Sequence, residues 1–263
     1  KPFENFTDPK FYFPDESHQA ALLKLRYAIE NRRECALLTG ASGMGKTMAI
    51  NMLKGTLEKP FSPFVHLIFP QMSTSQLLAY IAGELTGTMG QPDDSELPRN
   101  VRRIESFLDE NVKSGQHAVL VVDEAQLIEN HNTFDTLRLL LNFKSDKRPA
   151  LTLLVVAQPT LLPTLDRMPQ LNDRFSVKCL LRPLTKQETI DYVTHRLKVA
   201  GAKNTIFDGK YATKLHQLTH GVPRQINRLC DLALLIGYAE GQHSITADQL
   251  EAVSQELITV VPE

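Results

Sequence analysis

A chain of 263 residues with 29 Lys and Arg against 30 Asp and Glu has a net charge of −1, so no global field draws it to nucleic acid or anionic lipid. It is long enough for one large domain or two smaller ones, and its longest apolar runs, such as LTLLVVA, fall far short of the ~18 residues that span a bilayer. Cys35, Cys179 and Cys230 lie scattered among apolar neighbours without metal or disulfide spacing, which excludes a zinc module or a disulfide scaffold and points to core packing in a reducing compartment.

The chain opens at Lys1 with no initiator Met and no signal-peptide pattern, as expected of a trimmed segment. Its aromatic lead carries Phe3, Phe6, Phe11, Tyr12 and Phe13, which either stack on adenine beside the first strand or plug a groove between two domains. Aromatic clusters are mostly core, which favours the plug. Ser17 is placed to cap a helix whose Ala21, Leu22, Leu25, Ala28 and Ile29 share one face. Five short runs rich in β-branched or aromatic residues follow, at 35–39, 64–69, 117–122, 151–157 and 175–181, apolar on both faces as buried parallel strands are. Helical segments at 46–57, 74–86, 98–113, 133–143 and 160–168 alternate with them, which predicts a three-layer α/β domain. GTMGQPDDSELP, at 87–98, reads as the one long loop.

After Pro183 the pattern changes. Thr185 and Glu188 form a capping box, and Ile190, Val193 and Leu197 keep helical spacing up to Gly201. A second helix covers about 209–219, Pro223 stands where a first-turn proline belongs, and Thr246 opens a last helix with Leu250, Val253 and Leu257. Domain boundaries are therefore expected at 1–183 for the α/β part and 184–263 for an all-helical part.

GASGMGKT fits the phosphate-loop pattern G-x-x-x-x-G-K-[ST] and stands between a strand and a helix, as the mechanism requires. Gly40, Ala41, Ser42, Gly43, Met44, Gly45, Lys46, Thr47 and Met48 are the expected nucleotide contacts. The glycines let backbone N–H groups close around a phosphate, the helix N-terminus adds its partial charge, Lys46 reaches the β and γ oxygens, and Thr47 holds Mg²⁺. About 75 residues on, HAVLVVDEAQ pushes Asp123 and Glu124 out of the carboxyl end of a buried strand. Asp123 is assigned to Mg²⁺ through its water shell and Glu124 to polarising the attacking water. Gln126 is read as a helix-start cap or a site residue. Gln158 closes the next strand with an amide suited to the γ-phosphate and the attacking water. Arg174 before the last strand and Arg224 at a helix start are guanidinium groups suited to γ-phosphate charge.

Taken in order, these motifs resemble an AAA+ ATPase. More narrowly, TDPKFYF with SHQAALLKLRYAIE, DEAQ, AQPTL and GVPRQINRLCDLALLIGYAEG are similar to the ATPase modules of the general secretion pathway protein A family, over nearly the whole chain. The resemblance implies a P-loop NTPase fold with a parallel five-stranded sheet in order 5-1-4-3-2, a small helical lid, and ATP with Mg²⁺ held between them. It makes Gln158 sensor 1, Arg224 sensor 2, and Arg174 the finger entering a neighbouring subunit's site, with Arg167 as the fallback. It implies a homo-oligomeric ring or filament, and a cytoplasmic protein or the cytoplasmic domain of an inner-membrane one.

Two roles follow from the resemblance: driving assembly of an envelope secretion or pilus machine, or forming a double-stranded DNA-bound oligomer that selects targets for a transposase. The basic stretch 144–182, in which Lys144, Lys147, Arg148, Arg167, Arg174, Lys178 and Arg182 face three aspartates, is the local support for DNA; a solvated or subunit-facing surface is the plainer reading. The chain departs from the family in reading GMGKTM where GTGKTT is usual, and the membrane span and peptidoglycan-binding domain into which secretion members normally continue do not fall within these 263 residues. No guanine-reading N-K-x-D motif and no acceptor pocket pattern argue for a GTPase or a kinase.

Overall fold

The computed structural model describes the backbone of residues 1–4, 8–88, 96–145 and 148–259, with side chains up to 256. Phe6, residues 89–95 of the long loop, Asp146 and Lys147 of the basic stretch, and the Leu257 side chain lie outside the described residues. By its internal contacts the chain divides into two units, one formed by 20–41 with 52–181, the other by 1–19 with 42–51 and 182–263.

The first unit holds a parallel sheet of β1 (Cys35–Thr39), β2 (Phe64–Leu67), β3 (Ala118–Val122), β4 (Leu151–Ala157) and β5 (Phe175–Leu180) in the order β2-β3-β4-β1-β5. This is the expected order read from the other edge. The central strands β1, β3 and β4 are buried at every position, which is why they read as apolar runs interrupted only by Thr39 and Thr152. The edge strands depart from that expectation: β2 is buried at alternate residues, and β5 exposes Ser176, Lys178 and Leu180. With one neighbour each, they are half covered.

On one sheet face Leu37, Val65, Leu120, Leu153 and Val155 pack with Leu77, Leu78 and Ile81 of α3 (Thr74–Thr86), Ile104 and Leu108 of α4 (Leu97–Lys113), Phe134 and Leu137 of α5 (His131–Leu140), Leu165 of α6 (Leu162–Asp166) and Leu171 of α7 (Pro169–Asn172). The alternate residues Ala36, Leu38, Val119, Val121, Leu154 and Val156 are buried as well, so both faces are covered. His117 is fully buried at the foot of β3. The Thr152 hydroxyl donates to the Arg33 carbonyl at 2.7 Å, so its oxygen accepts the His117 Nε2–H at 2.8 Å. Burial holds the His117 imidazole down at about 4, neutral at physiological pH.

The second unit is built around Val193, Leu215, Ile226, Leu229, Cys230, Leu250 and Val253, contributed by α8 (Lys186–Val199), α9 (Tyr211–Thr219), α10 (Pro223–Ala239) and α11 (Ala247–Thr259). Thr185 and Glu188 make the expected capping box, and Pro223 opens α10. Of the described aromatics of the lead, Phe3 belongs to this core and Phe13 packs against it. Phe3 meets the Phe207 ring edge-on at 6.4 Å and Phe13 meets Tyr192 at 5.7 Å. Buried Arg196 donates to the carbonyls of Pro2 (2.6 Å) and Glu4 (2.7 Å) and to the Tyr192 hydroxyl (2.9 Å), with its guanidinium 4.9 Å from the centre of the Phe11 ring.

Ser17 is not the cap of α1 (Glu16–Glu30): Asp15 is, its Oδ1 accepting the backbone N–H of Ser17 and His18. The carboxylate one residue before the helix outcompetes a serine already inside its first turn. Two short elements have too little periodicity to be read from sequence, a hairpin pairing Lys144–Ser145 with Arg148–Pro149 and a single turn over Pro169–Asn172. Among the described residues no helix is long and apolar enough to cross a membrane.

Candidate nucleotide site

β1 ends at Thr39 and runs directly into the glycine loop, after which α2 (Lys46–Thr56) begins at the loop's own lysine. At the start of the loop the Gly40 N–H donates to the Ala157 carbonyl at the end of β4, at 3.2 Å. Gly43 and Gly45 have φ of +81° and +85°, a region closed to most residues by the Cβ. Space is short there too. A Cβ on Gly43 would sit 2.7 Å from Cβ of Arg224, and one on Gly45 3.0 Å from Nε2 of His18.

The loop is propped from two sides within its unit. Arg224, in the first turn of α10, donates its backbone N–H to the Gly43 carbonyl (3.3 Å) and its Nη1 to the Ser42 hydroxyl (3.3 Å). His18, in the first turn of α1, faces the Met44 carbonyl through Nε2 at 3.0 Å and the Asp15 carboxylate through Nδ1. Burial pushes the Asp15 carboxyl up, but hydrogen bonds and charge from His18 outweigh it and leave it below the ordinary value. Met44 is buried, Thr47 and Met48 are half-buried, and Ala41 is exposed. Lys46 is only 5% exposed, an unusual position for an ammonium group.

At the carboxyl edge of the sheet, β3 delivers Asp123 and Glu124 and β4 delivers Gln158. Asp123 is 1% exposed; its Oδ1 accepts the Glu124 N–H at 2.8 Å, and its Oδ2 lies 3.3 Å from His66 Nε2 on β2. Glu124 has φ +50° and ψ +38°, a left-handed conformation that costs a non-glycine residue of order 1–3 kcal/mol and concentrates at functional sites. Gln126 does not cap a helix. Its amide donates to Glu124 Oε2 and accepts the Gln158 N–H at 2.9 Å, so three of the sequence-selected residues form one chain of hydrogen bonds.

Arg174 stands at the opposite edge. It immediately precedes β5, whose first residue pairs with Cys35 at the start of β1, and it donates to the Glu34 carboxylate (3.4 Å) and to the Asn142 side-chain Oδ1 (2.7 Å). Arg167 is exposed. Three cations of the basic stretch have carboxylate partners: Lys144 and Arg174 share Glu34, and Arg182 bridges Glu188 and Glu16, while Lys178 donates to the neutral side-chain amide of Asn172. The Arg182 guanidinium holds the Glu188 carboxyl down to about 2.

Sequence reasoning assigned no role to His18, Asp15, His66, Glu34 or Asn142. The only signal for the first two was a carboxylate and a histidine three residues apart at a helix start; the other partners come together only through the fold.

Residues 29–165 match the AAA domain family. General secretion pathway protein A of Aeromonas hydrophila is 33% identical over 97% of this chain, which spans 46% of that protein's length. Among solved structures, Cdc6p of Pyrobaculum aerophilum superposes with a TM-score of 0.73 at 17% identity, covering 97% of this chain and 74% of that one. The Drosophila ORC bound to DNA gives 0.71 at 18% (94% and 62%), and the RuvB Holliday junction branch migration motor of Thermotoga maritima gives 0.63 at 17% (93% and 70%). With these matches and the sheet order in agreement, the chain belongs to the AAA domain family, of the AAA+ P-loop kind, and resembles general secretion pathway protein A.

Proposed function

We propose that this protein binds Mg·ATP on the Gly40–Met48 loop and hydrolyses it with Glu124, within a homo-oligomer whose subunits complete one another's sites. The observation that carries the reading is the sheet's carboxyl edge, where Asp123, Glu124 and Gln158 end neighbouring strands and β1 leads straight into the glycine loop.

The donor set fits the ligand. Two left-handed glycines ahead of a helix N-terminus suit a polyphosphate, and a threonine hydroxyl with a carboxylate, both hard oxygen donors, suits Mg²⁺ rather than a softer ion. Thr47 and Asp123 would hold the metal, which when bound offsets charge on the phosphate oxygens. Lys46 binds the β and γ oxygens. Glu124 orients and deprotonates the attacking water, Gln158 fixes that water against the γ-phosphate, and Arg224 reports phosphate occupancy to α10.

Arg174 lies at the amino edge of the sheet, away from the strand ends that carry the chemistry, a position suited to serving a neighbour's site. In the protomer described it is paired with Glu34 and Asn142, contacts it would exchange on assembly. The test mixes two inactive variants. Lys46→Ala and Arg174→Ala subunits that co-assemble should regain turnover at shared boundaries, since one supplies the arginine and the other the loop. Absence of recovery in verified mixed oligomers would show that Arg174 does not act across subunits.

For the process served, likeness to general secretion pathway protein A supports envelope secretion or pilus assembly, with envelope assembly proteins as partners. A DNA-bound helper of a transposase is the weaker reading, because the chain carries no net positive charge and three of the cations that suggested it, Lys144, Arg174 and Arg182, are paired with carboxylates of the chain.

A further inference from the structure

We infer that Gln126 is a positioning residue that ties the Glu124 carboxylate to the end of β4. The inference deepens the ATPase reading and rests on it. A carboxylate only accepts and a backbone N–H only donates, so the group between Glu124 Oε2 and the Gln158 N–H must offer a donor and an acceptor together. The Gln126 amide does this, donating through Nε2 and accepting through Oε1 at 2.9 Å, and these partners fix its orientation.

Neither end of the link is loose. Gln126 lies in the one-turn helix Ala125–Leu127, closed by bonds from the Leu127 N–H to the Glu124 carbonyl (2.9 Å) and from the Ile128 N–H to the Ala125 carbonyl (3.1 Å). The Gln158 N–H belongs to the residue that directly follows β4, whose own carbonyl starts the next turn by accepting the Leu161 N–H. The Glu124 backbone is held left-handed by the same turn, with its N–H on Asp123 Oδ1. What backbone geometry leaves unset is the rotation of the Glu124 side chain about its own bonds. Gln126 sets it, and it does so from the strand end that carries Gln158, so a displacement at Gln158 is transmitted to the carboxylate.

Glutamate at 126 would bring two carboxylates together and offer no donor to Glu124, while methionine keeps the length and removes both hydrogen bonds. Either change leaves Lys46 and the loop untouched, so the loss should fall on kcat and not on ligand affinity.

The experiment measures steady-state ATP turnover and calorimetric affinity for a non-hydrolysable ATP analogue in wild type, Gln126→Met and Gln126→Glu, with thermal melting to verify folding. Expected are an analogue Kd within about threefold of wild type and a kcat lowered about tenfold or more in both variants, as misplacement of a general base produces. An unchanged kcat in either folded variant, a raised kcat, or a loss confined to KM or Kd would overturn the assignment of Gln126 while leaving the ATPase reading standing. Absence of turnover in the wild-type oligomer would instead remove the ATPase reading, and this inference with it.

Discussion

The phosphate loop and the strand-end cluster are built by different means. The loop is a backbone device: two left-handed glycines, a helix N-terminus, and carbonyls at Gly43 and Met44 met from Arg224 and His18. Its side chains matter mainly at Lys46 and Thr47. The strand-end cluster is a side-chain device, in which Asp123, Glu124, Gln126 and the Gln158 backbone hold one another by directed hydrogen bonds. A backbone cradle sets whether a polyphosphate is held, and a side-chain network sets whether anything is done with it. Substitutions on the two sides should therefore separate affinity from turnover.

The largest separation is expected at Lys46. Lys46→Ala removes the only cation in the loop and with it charge-assisted hydrogen bonds worth about 1.5–3 kcal/mol each, so calorimetry should show affinity for ATP reduced by about 100-fold or more. Affinity equal to wild type would dissolve the distinction between cradle and network.

Next comes the sheet that carries the strand ends. His117 titrates at about 4 in the fold against about 6.5 when unfolded, so the unfolded chain binds the extra proton as pH falls between those values. Stability is complete above about 6.5 and is lost toward 4, by up to about 3 kcal/mol from this group. Urea midpoints compared at pH 7 and 5 should drop in wild type and less in His117→Gln, whose amide keeps a bond to Thr152. Parallel drops in the two proteins would count against the buried neutral imidazole.

A smaller effect belongs to Gly43. Alanine there faces φ +81° and a Cβ contact of 2.7 Å to Arg224, and should cost about 1–2 kcal/mol of loop stability. Analogue affinity should weaken about tenfold while any residual kcat at saturation stays near wild type, the opposite split from Gln126→Met.

The architecture was legible because burial writes itself into composition. β1, β3 and β4 are buried throughout and nearly all apolar, since both faces are covered, and Asp123 and Gln158 follow β3 and β4 where the pattern breaks. The glycine loop was legible because its conformation demands glycine at fixed places. His18 was not, since its partners Asp15 and Met44 are set by a helix cap and a loop 26 residues away. Nor was the coupling of Gln126 to Gln158, 32 residues apart, or of Arg174 to Glu34, 140 residues apart. Periodicity reports which face is buried, whereas a long-range hydrogen bond leaves no periodic trace.

The most direct measurement is paired binding and phosphate release for Glu124→Gln. The side chain stays the same size and keeps an oxygen for the Gln126 amide, but it can no longer take a proton from water. ATP affinity should remain within a few-fold of wild type while phosphate release falls by about 100-fold or more, the range that removal of a general base covers. Wild-type rates of release from Glu124→Gln oligomers would contradict the assignment of this edge of the sheet as the place where ATP is cleaved.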